Sequence, residues 1–544
     1  MAQLHTQFTR ASISVSRLEQ DIDSYITAHS DGVYDEVLAA DGRWDVFFHL
    51  AGMREALFGW YDMPKDADVL EIDCGFGALT GILADRAAHV AALDSSLFRA
   101  RACAKRWAAK ENLDVYAGHL KDIPFSRRFD VIVLVGVLPR VAGGDKALAP
   151  YAAYLKSLLD YLKPQGRILL AMDNRLGLKF FCGASDPYTG ELFGELDGTN
   201  GKGRLFTKAE LTEIFALAGF THWKFYYPLP DYRLPQFLFT DAVLPDPSIG
   251  EPLIPYDPAP DTRVLPEAAL YRDMIGNGLF PAMANSFFVE CAMQKDFCPT
   301  ESASLACDRA PMYNIATCRE DDRVIKKPIM PPAVRGLREI AANLETFRQR
   351  GLEIVPCEMQ GDRLVMPSID APTMAAWLKT ATPKDRDTIL AAWERLWAAI
   401  LQSSAPVPDA ENSMKHFYPE ADWGVVLERA YLNMTPDNVF YQNGRLAFFN
   451  QGLCRPKVPA KYLLFLGVYD NAESLLRLGV LDDIKERYGL ATLWGAMETA
   501  QQENVASFRR YNTYHHFYNW ADMNPVQMQK NRQVLKILGN EDNE

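Results

Sequence analysis

VLEIDCGFGALTGIL, at residues 69–83, joins a short apolar run to a helix-like run through two closely spaced glycines. The apolar run predicts a buried strand that ends at Glu71, and a helix is predicted to begin near Ala78. Gly75 and Gly77 allow unusual φ angles and a close approach of the backbone to a ligand. Because a helix N-terminus offers unpaired N–H groups and partial positive charge, we expect this turn to bind a ligand that carries an anionic group.

The same alternation continues along the first half of the chain. The apolar runs VLEI, VAAL, VIVLV and RILLAM, between residues 68 and 172, are separated by helix-like segments. This pattern predicts an α/β fold with a parallel sheet covered by helices on both faces. Further on, Thr207 and Glu210 form a T-x-x-E capping box that predicts a helix start, and Gly219 is placed to end that helix.

Asp94 is the second candidate ligand-binding residue. It closes the predicted strand HVAALD, 23 residues after Glu71. A carboxylate at this place can accept two charge-assisted hydrogen bonds from ribose hydroxyls. FDVIVLVGVL at 129–138 then predicts another strand, and LKPQGRILLAM at 162–172 predicts a turn into the next one.

The combination E-I-D-C-G-F-G, L-D, F-D-V-I and L-K-P-x-G-x resembles the class I S-adenosylmethionine (SAM)-dependent methyltransferases across residues 65–225. A glycine pair after a strand also fits NAD enzymes, but Thr80 stands where the dinucleotide pattern has a third Gly or Ala. The resemblance implies a Rossmann-like domain with a mainly parallel seven-stranded sheet. It also implies SAM as the cofactor.

The resemblance assigns roles to individual residues. Glu71 would hold the ammonium of SAM, Asp94 the ribose, and the Leu120 backbone the adenine; Asp122 more often caps the following turn. Asp73 stands where the family usually has a glycine, and an acid there would repel the SAM carboxylate unless it turns away or pairs with the ammonium. The predicted cofactor-binding residues are Glu71, Asp73, Gly75, Gly77, Asp94, Ser95, His119, Leu120 and Gly136.

The acceptor side is predicted in AMDNRLGLKFFCGASDPYTGELF, at 171–193. This segment begins at the carboxyl end of a predicted strand, where open α/β sheets bind ligands. Together with GRLFTKAEL, FYYPLPDYRLP, DRAPMYNIAT and VIKKP, it resembles a narrower group of bacterial methyltransferases that look associated with surface-polysaccharide and lipopolysaccharide assembly. The resemblance covers most of residues 30–455. It implies a glycan or small-molecule acceptor and glycosyltransferase partners.

Three residues of this segment are candidate catalytic residues. Tyr188 stands where the narrower group has a His before T-G, and a phenol is a poorer base near neutral pH. Asp173 is the next candidate base, and Arg175 could hold an acidic sugar or phosphate; equally, the two could pair with each other to fix the loop. Asn174 and Lys179 are candidate substrate-binding residues. Alignment of the nucleophile with the methyl group does much of the work in methyl transfer.

Four further aromatic or imidazole side chains are weaker candidates. His49, in WDVFFHL, could point toward the site, although a lone His beside aromatic residues is more typical of a packed core. Three tyrosines could stack on a sugar, but we expect them to form part of the wall of the domain; they are Tyr226, Tyr227 and Tyr232.

The second half of the chain resembles another family. VIKKPIMPPAVRGLREIAANLETF resembles the small lobe of the kinase and aminoglycoside-phosphotransferase fold, with Lys326 at the phosphate-binding position. In YLNMTPDNVF and RLAFFNQG, Asn438 fits the catalytic pattern, but Asn433 and Asn450 stand where a catalytic Asp and a Mg²⁺-binding Asp would lie. Because an amide cannot serve as a base and is a poor ligand for a hard cation, we expect a degenerate domain without phosphoryl transfer. An unrelated α/β region remains the alternative.

Composition narrows the class of protein. The 544 residues carry a net charge of -13, which argues against nucleic acid as the main partner. Nine scattered cysteines suggest neither a disulfide framework nor a zinc site, so no metal is expected and a reducing cytoplasm is the simplest location. The first residues lack the apolar core of a signal peptide, and no apolar run is long enough to span a membrane.

These observations predict four regions. They are an N-terminal helical segment (1–60), a methyltransferase domain (61–300), an α+β kinase-like domain (301–457) and a helical C-terminal region (458–544). The expected function is O-methylation of a bacterial surface glycan or its precursor. The alternatives are a bifunctional methyltransferase–kinase that caps a polysaccharide chain, and a non-catalytic scaffold that binds glycosyltransferases.

Overall fold

The computed structural model describes residues 1–9, 14–29, 32–197, 202–250, 253–254, 262–521 and 528–533. The chain forms two compact units. The first contains residues 1–308, 316–321 and the described residues after 511; the second contains 309–315 and 322–511. This division differs from the predicted one. The N-terminal segment belongs to the first unit, and residues 458–511 belong to the second.

The strands of the first unit begin close to the N-terminus. They are β1 (Gln3–His5), β2 (Asp68–Ile72), β3 (His89–Asp94), β4 (Leu113–Ala117), β5 (Phe129–Val135), β6 (Leu162–Asp173), β7 (His222–Leu229), β8 (Phe237–Thr240), β9 (Ser286–Ala292), β10 (Ser302–Leu305) and β11 (Ile315–Glu320). Strand β1 lies in a segment that was predicted to be helical, and it pairs in parallel with β4.

Helices alternate with these strands as the sequence predicts. They are α1 (Arg17–Ala28), α2 (Asp35–Ala40), α3 (Trp44–Leu50), α4 (Ala56–Gly59), α5 (Thr80–Arg86), α6 (Leu97–Arg106), α7 (Ala149–Leu158), α8 (Leu178–Phe181), α9 (Gly194–Asp197), α10 (Lys208–Ala218), α11 (Glu267–Gly276) and α12 (Phe280–Met283). The capping box of Thr207 and Glu210 is confirmed at the start of α10, and Gly219 ends the helix with a φ of 96°.

The sheet of the first unit follows the order β1-β4-β3-β2-β5-β6-β9-β7-β8-β10-β11. From β1 to β6 neighbouring strands are parallel, and β9 runs antiparallel between β6 and β7. Within the described residues it therefore has eleven strands, more than the seven expected, because β1 extends one edge and β8, β10 and β11 extend the other. The mixed α/β, Rossmann-like character is confirmed.

The middle of the sheet is buried on both faces. Strands β2, β3, β5 and β6 are rich in Val, Leu, Ile and Ala, and their central residues are almost fully buried. Leu70 and Ile132 share one core with Tyr151 of α7 and Phe215 of α10. Because parallel strands point the same way, their carboxyl ends meet at one edge. This edge contains Ile72, Asp94, Val135 and Asp173, which are the last residues of the four strands.

The second unit contains smaller sheets and more helix. Its strands are β12 (Arg323–Pro328), β13 (Glu358–Gln360), β14 (Arg363–Pro367), β15 (Pro406–Val407), β16 (Val426–Tyr431), β17 (Val439–Gln442), β18 (Arg445–Phe448) and β19 (Cys454–Pro459). Its helices are α13 (Ala333–Gln349), α14 (Met374–Thr380), α15 (Arg386–Ser403), α16 (Ala460–Asp470), α17 (Ala472–Arg477), α18 (Leu481–Arg487) and α19 (Trp494–Phe508). Strands β12, β14 and β13 pair antiparallel, and α13 packs its apolar face against Leu364 of β14.

Helix α20 (Tyr511–Ala521) returns the chain to the first unit from Asn512 onward. There Phe517 stacks on Phe47 of α3 with ring centroids 5.2 Å apart. No helix among the described residues combines the length and the apolar character needed to cross a membrane.

Candidate functional site

The glycine turn connects β2 to α5. The helix begins at Thr80, two residues after Ala78, because the turn extends through residues 73–79. Asp73 and Gly75 adopt positive φ angles of 64° and 58°. Asp73, at the position where a glycine was expected, thus takes a glycine-like conformation, which Asp tolerates better than most residues. Its N–H donates to the Leu93 carbonyl at 2.8 Å, which fixes the turn against β3.

Trp107, just after α6, holds the other side of the turn. Its Nε1–H donates to the Gly77 carbonyl at 2.7 Å. A Cβ at Gly77 would lie 2.9 Å from that nitrogen, and a Cβ at Gly81 would lie 2.3 Å from the indole ring. Both positions therefore require glycine. Sequence reasoning did not identify Trp107, because nothing in the pattern places the end of α6 against the turn.

Asp94 connects β3 to the glycine turn. Its Oδ2 accepts a hydrogen bond from the Gly75 N–H at 3.0 Å, and its Oδ1 accepts one from the Ser96 N–H at 2.7 Å. Burial, together with the charge of Asp73, raises the pKa of Asp94 to about 7. A carboxylate has about four acceptor sites, so two backbone bonds leave capacity for ribose hydroxyls.

Glu71 is buried under the same turn. Its Oε2 accepts a hydrogen bond from the Thr80 hydroxyl at 2.6 Å. Burial raises the pKa of Glu71 to about 8. An ammonium group nearby would favour the ionised form, because an opposite charge lowers the pKa of a carboxyl group. Glu71 therefore fits the ammonium of SAM.

Asp73 pairs with Arg140. The Arg140 guanidinium, beyond the end of β5, forms an ion pair with the Asp73 carboxylate and donates from Nε to the Gly136 carbonyl at 3.1 Å. The charge that would repel the SAM carboxylate is thus compensated. Gly136 itself has a φ of 69°, and its N–H donates to the Ala171 carbonyl. Arg140 was not among the predicted residues.

A cavity of about 300 Å³ opens at this edge of the sheet. It joins the glycine turn and the end of β5 to four other parts of the chain: residues 48–54, Arg99, residues 187–188 and residues 232–233. Its lining residues are Phe48, His49, Arg54, Glu71, Ile72, Asp73, Cys74, Gly75, Ala78, Leu79, Arg99, Val133, Val135, Gly136, Arg140, Pro187, Tyr188, Tyr232 and Arg233. The predicted residues Glu71, Asp73, Gly75, Gly136 and Tyr188 are thus brought together.

Five of the predicted cofactor-binding residues lie outside this lining. They are Gly77, Asp94, Ser95, His119 and Leu120. Their strands, β3 and β4, end at the same edge of the sheet. Ser95 is half-buried, His119 is exposed, and half-buried Leu120 begins a short 3₁₀ helix that ends at Asp122.

Asp173 does not have the environment of a base. It is buried, and the Arg233 guanidinium contacts both of its oxygens, at 2.8 and 2.6 Å, while Lys179 pairs with Oδ1. Burial alone would raise the pKa of Asp173, but the two cations outweigh it and hold the pKa well below its usual range. The carboxylate is therefore a poor proton acceptor, which argues against the predicted role.

The alternative pair of Asp173 with Arg175 is also wrong. Arg175 donates to Glu210 of α10 at 3.2 Å, and Glu210 also accepts from Arg204 at 2.8 Å. Arg175 does not line the cavity. Its guanidinium fixes the start of α10, because Glu210 belongs to the capping box there.

Asn174 and Lys179 form hydrogen bonds and ion pairs with other groups of the protein. The Asn174 amide donates to the carbonyls of Ala282 and Ala284 at 2.8 and 2.7 Å, and its oxygen accepts from the Leu176 N–H. Lys179 is buried between Asp173 and Asp231. The predicted substrate-binding roles do not fit these contacts, since the polar atoms are already used.

Tyr188 and His49 do line the cavity. Burial and the neighbouring Tyr232 raise the pKa of Tyr188 well above its usual value, so its hydroxyl stays protonated. Burial, aided by the charges of Arg54 and Arg99, lowers the pKa of His49 to about 3, so the imidazole is neutral. His49 was expected in a packed core, but the structure places it at the cavity.

The three tyrosines separate into two groups. Tyr226 donates to Glu290 at 2.6 Å and Tyr227 donates to Asp241, so both wall the domain as expected. Tyr232 lines the cavity beside Gly136 and Arg233.

In the second unit, the three asparagines singled out in the sequence form one cluster. Asn433 donates to the Asn450 carbonyl at 2.9 Å, and the Asn450 amide donates to the Asn438 oxygen at 2.8 Å. Lys326 is buried in the same unit. Hydrogen bonds link the three asparagines to one another. Because all three side chains are amides, none of these positions provides a carboxylate.

Comparison with known proteins agrees with the geometry of the first unit. Residues 50–224 match the model of a methyltransferase-domain family. An uncharacterised methyltransferase of Staphylococcus carnosus is 34% identical over 126 residues, which are 23% of this chain and 55% of that protein. The chain thus spans about half the length of this curated relative. Residues 50–224 are a methyltransferase domain, and its cofactor is SAM.

Solved structures of methyltransferases also resemble the chain. The N-methyltransferase NodS of Bradyrhizobium japonicum is 18% identical, with 23% of this chain and 67% of that chain covered and a TM-score of 0.20. A SAM-dependent methyltransferase of Thermotoga maritima is 13% identical, with 49% and 100% covered and a TM-score of 0.29.

Proposed function

We propose that the chain transfers the methyl group of SAM to an acceptor bound in the cavity of about 300 Å³. The observation that carries this proposal is the juxtaposition of buried Glu71, the glycine turn and Asp94 at the edge where the cavity opens. A carboxyl group, a glycine turn before a helix and a second carboxyl group match the ammonium, carboxylate and ribose of SAM in turn.

Each group of the cofactor has a proposed partner. Glu71 binds the ammonium, the glycine turn receives the carboxylate, Asp94 accepts from the ribose, and Leu120 contacts the adenine. The ion pair of Arg140 with Asp73 keeps the turn from repelling the cofactor's carboxylate. When bound, the cofactor supplies a methyl group already activated by a sulfonium.

The residues of the cavity orient the acceptor. The walls formed by Phe48, Tyr188 and Tyr232 exclude water and limit the acceptor's positions. The Tyr188 hydroxyl stays protonated and donates a hydrogen bond, whereas the neutral His49 ring can accept one from an acceptor hydroxyl. Asp173 takes no part in proton transfer; it holds Arg233 in the wall.

The acceptor in this proposal is a bacterial surface glycan or a glycan precursor, methylated on oxygen in the cytoplasm. Support comes from the sequence of residues 171–193 and its resemblance to methyltransferases of polysaccharide assembly. Glycosyltransferases are the proposed partners.

The second unit is proposed to be a kinase-like domain that binds a partner, glycan or nucleotide without phosphoryl transfer. The amide cluster of Asn433, Asn438 and Asn450 supports this role, because phosphoryl transfer needs a carboxylate base and carboxylate ligands for Mg²⁺. The same cluster argues against a bifunctional methyltransferase–kinase.

The test is incubation of the full chain with methyl-labelled SAM and a panel of glycan precursors. We expect label in one acceptor class, and none with the Glu71→Ala variant. The matched control is Asp85→Asn, on the exposed side of α5 where Asp85 pairs with Lys110. No label in any acceptor, with no shift in Tm at millimolar S-adenosylhomocysteine (SAH), would favour the scaffold.

A further inference from the structure

His49, in the last turn of α3, contacts both walls of the cavity that it lines. Its ring meets the Phe48 ring edge to face, with centroids 5.1 Å apart. It meets the ring of Phe76, a residue of the glycine turn, in the same way at 5.0 Å. The imidazole is therefore held between the α3 wall and the turn.

Arg106, the last residue of α6, fixes the backbone beneath this ring. Its Nη1 donates to the His49 carbonyl at 2.7 Å and to the Phe76 carbonyl at 3.2 Å. Because the guanidinium donors lie in one rigid plane, they hold the two carbonyls at a fixed separation. The imidazole thus has a defined position relative to the glycine turn.

The ring nitrogens of His49 are open to the cavity. Among the residues that the structure describes, none forms a hydrogen bond with them. Burial, together with the charges of Arg54, Arg99 and Arg106, lowers the pKa of His49 to about 3; Glu19 of α1 opposes this effect. The ring is therefore neutral throughout the physiological pH range, and a neutral imidazole always has one nitrogen that can accept a proton.

The oxygen groups of the lining are less suited to accept a proton. Burial raises the pKa of Tyr188 and of Tyr232, so both hydroxyls already carry theirs. Asp73 is held in its ion pair with Arg140. Glu71 keeps its proton until a cation binds beside it, because burial raises its pKa to about 8. The α3 imidazole is the neutral acceptor beside them.

We propose that His49 is the catalytic residue that takes the proton of the acceptor hydroxyl during methyl transfer. The inference rests on the proposed function and assigns the proton that this transfer releases. The hydroxyl oxygen forms the bond to the methyl carbon, and the electron pair of the broken C–S bond stays on the sulfur of SAH. The hydroxyl proton moves to the unprotonated nitrogen of His49, which then releases it to water.

A weakly basic imidazole is sufficient for this step. As the C–O bond forms, the oxygen gains positive charge, and a protonated ether is a far stronger acid than an imidazolium. The same weak basicity clears the site, because an imidazolium near three guanidinium groups gives up its proton readily. A positioned proton acceptor contributes about 10²–10⁴-fold to a rate.

The first experiment needs no acceptor. The wild-type chain is treated at pH 5.5 and pH 7.5 with diethyl pyrocarbonate, which acylates neutral imidazoles, and the modified histidines are mapped by mass spectrometry. N-acetylhistidine, the reference, should react about tenfold more slowly at pH 5.5, because its pKa is about 6.5. We expect His49 to react at the same rate at both pH values. No acylation of His49 would overturn the inference, since an acceptor could not reach its nitrogen either.

The second experiment compares His49→Gln with His222→Gln, which removes an exposed histidine of β7. The assay uses methyl-labelled SAM and the glycan precursor that the wild-type chain labels. We expect kcat of His49→Gln to fall at least about a hundredfold, because an amide takes no proton. Its KM for the precursor and its Kd for SAH should change less than about threefold, because the amide oxygen still accepts a hydrogen bond. Equal kcat in the two variants would overturn the inference.

Chemical rescue separates proton transfer from a structural role. Imidazole added at tens of millimolar should restore part of the lost kcat of His49→Ala and none of that of Glu71→Ala. If the His49 variants do not fold, acylated wild type decides. It should lose methyl transfer and regain it with hydroxylamine, which removes the acyl group. Full transfer by a chain acylated at His49 would overturn the inference.

Failure of this inference differs from failure of the proposed function. If the wild-type chain binds no SAH or labels no precursor, the proposed function fails, and this is seen before any His49 variant is made. If wild type transfers the methyl group and His49→Gln transfers it equally fast, the inference alone fails.

Discussion

Asp94 Oδ2 accepts a hydrogen bond from the Gly75 N–H at 3.0 Å, so one carboxylate joins the end of β3 to the glycine turn. Its other oxygen accepts from the Ser96 N–H at the start of α6. The same side chain thus positions the turn and, in the proposed function, binds the ribose. Loss of this carboxylate should affect the cofactor more than the fold.

Asp94→Asn should weaken SAH at least tenfold. The amide nitrogen cannot accept the hydrogen bond of either the Gly75 N–H or a ribose hydroxyl, and a hydrogen bond to a charged group contributes about 1.5–3 kcal/mol. Calorimetric titration of SAH measures the change. The exposed Asp85→Asn is the matched control, and equal affinity of the two variants would contradict the role of Asp94.

Glu71 should make the stability of the chain depend on pH. Its pKa of about 8 in the folded state lies above the ordinary value of 4.5, so the folded state binds a proton that the unfolded state releases. This contribution is complete below pH 4.5 and is lost as the pH rises through 8. Between pH 6 and pH 9 the loss is about 2.7 kcal/mol, because the folded-state pKa lies two units above pH 6 and each unit corresponds to about 1.36 kcal/mol.

Glu71→Gln mimics the protonated acid and should remove this dependence. Denaturant unfolding of both proteins at pH 6 and pH 9 measures it. We expect the variant to be more stable than wild type at pH 9 and to differ little at pH 6. The contradicting result is a difference in unfolding free energy between wild type and Glu71→Gln that stays constant, or moves in favour of wild type, from pH 6 to pH 9. That result would show that Glu71 is ionised in the folded protein.

Asp173→Asn should destabilise the first unit by about 3 kcal/mol or more, because it leaves the buried charges of Lys179 and Arg233 without one carboxylate. Thermal unfolding measures the loss. Asp296→Asn is the matched control, since Asp296 is 87% exposed at its bridge to Arg167. If Asp173→Asn unfolds like wild type but loses methyl transfer in a pH-dependent way, Asp173 is a base after all.

Gly81→Ala should destabilise the glycine turn by about 1–3 kcal/mol, since the new methyl would overlap the Trp107 ring. Gly276→Ala, where a Cβ meets nothing within 4 Å, should be neutral or stabilising. Adding Trp107→Leu to Gly81→Ala should recover part of the loss. Additive effects of the two changes in a double-mutant cycle would contradict the contact.

The second unit should not transfer phosphate. Incubation of the chain with γ-labelled ATP and Mg²⁺ should leave protein and glycan precursors unlabelled, because Asn433 and Asn450 carry no charge. Label above that of a heat-denatured sample would contradict this expectation and support the bifunctional alternative.

Much of the first unit could be predicted from the sequence because its signals are local. The apolar runs of β2, β3, β5 and β6, the glycine turn and the capping box of Thr207 and Glu210 each lie within a short stretch. These local signals were sufficient to predict the fold of the first unit and its cofactor. Strand β1 was not predicted, because three residues are too few to show the alternation of polar and apolar residues that identifies a strand.

The acceptor side was predicted less well because its contacts are long-range. Asp173 meets Arg233 across 60 residues, and Asn174 meets Ala284 across 110. Polar side chains at the end of a strand indicate a ligand site only if no distant part of the chain binds them. The sequence alone does not show which distant residues form such contacts. For the same reason His49 and Arg54 could not be placed at the cavity in advance.

The most direct test of the account is a crystal structure of the chain with SAH. We expect the ribose within hydrogen-bond distance of Asp94 and the amino group beside Glu71, with the sulfur facing the cavity walled by Tyr188 and His49. A ligand bound elsewhere, or a ribose out of reach of Asp94, would contradict the account.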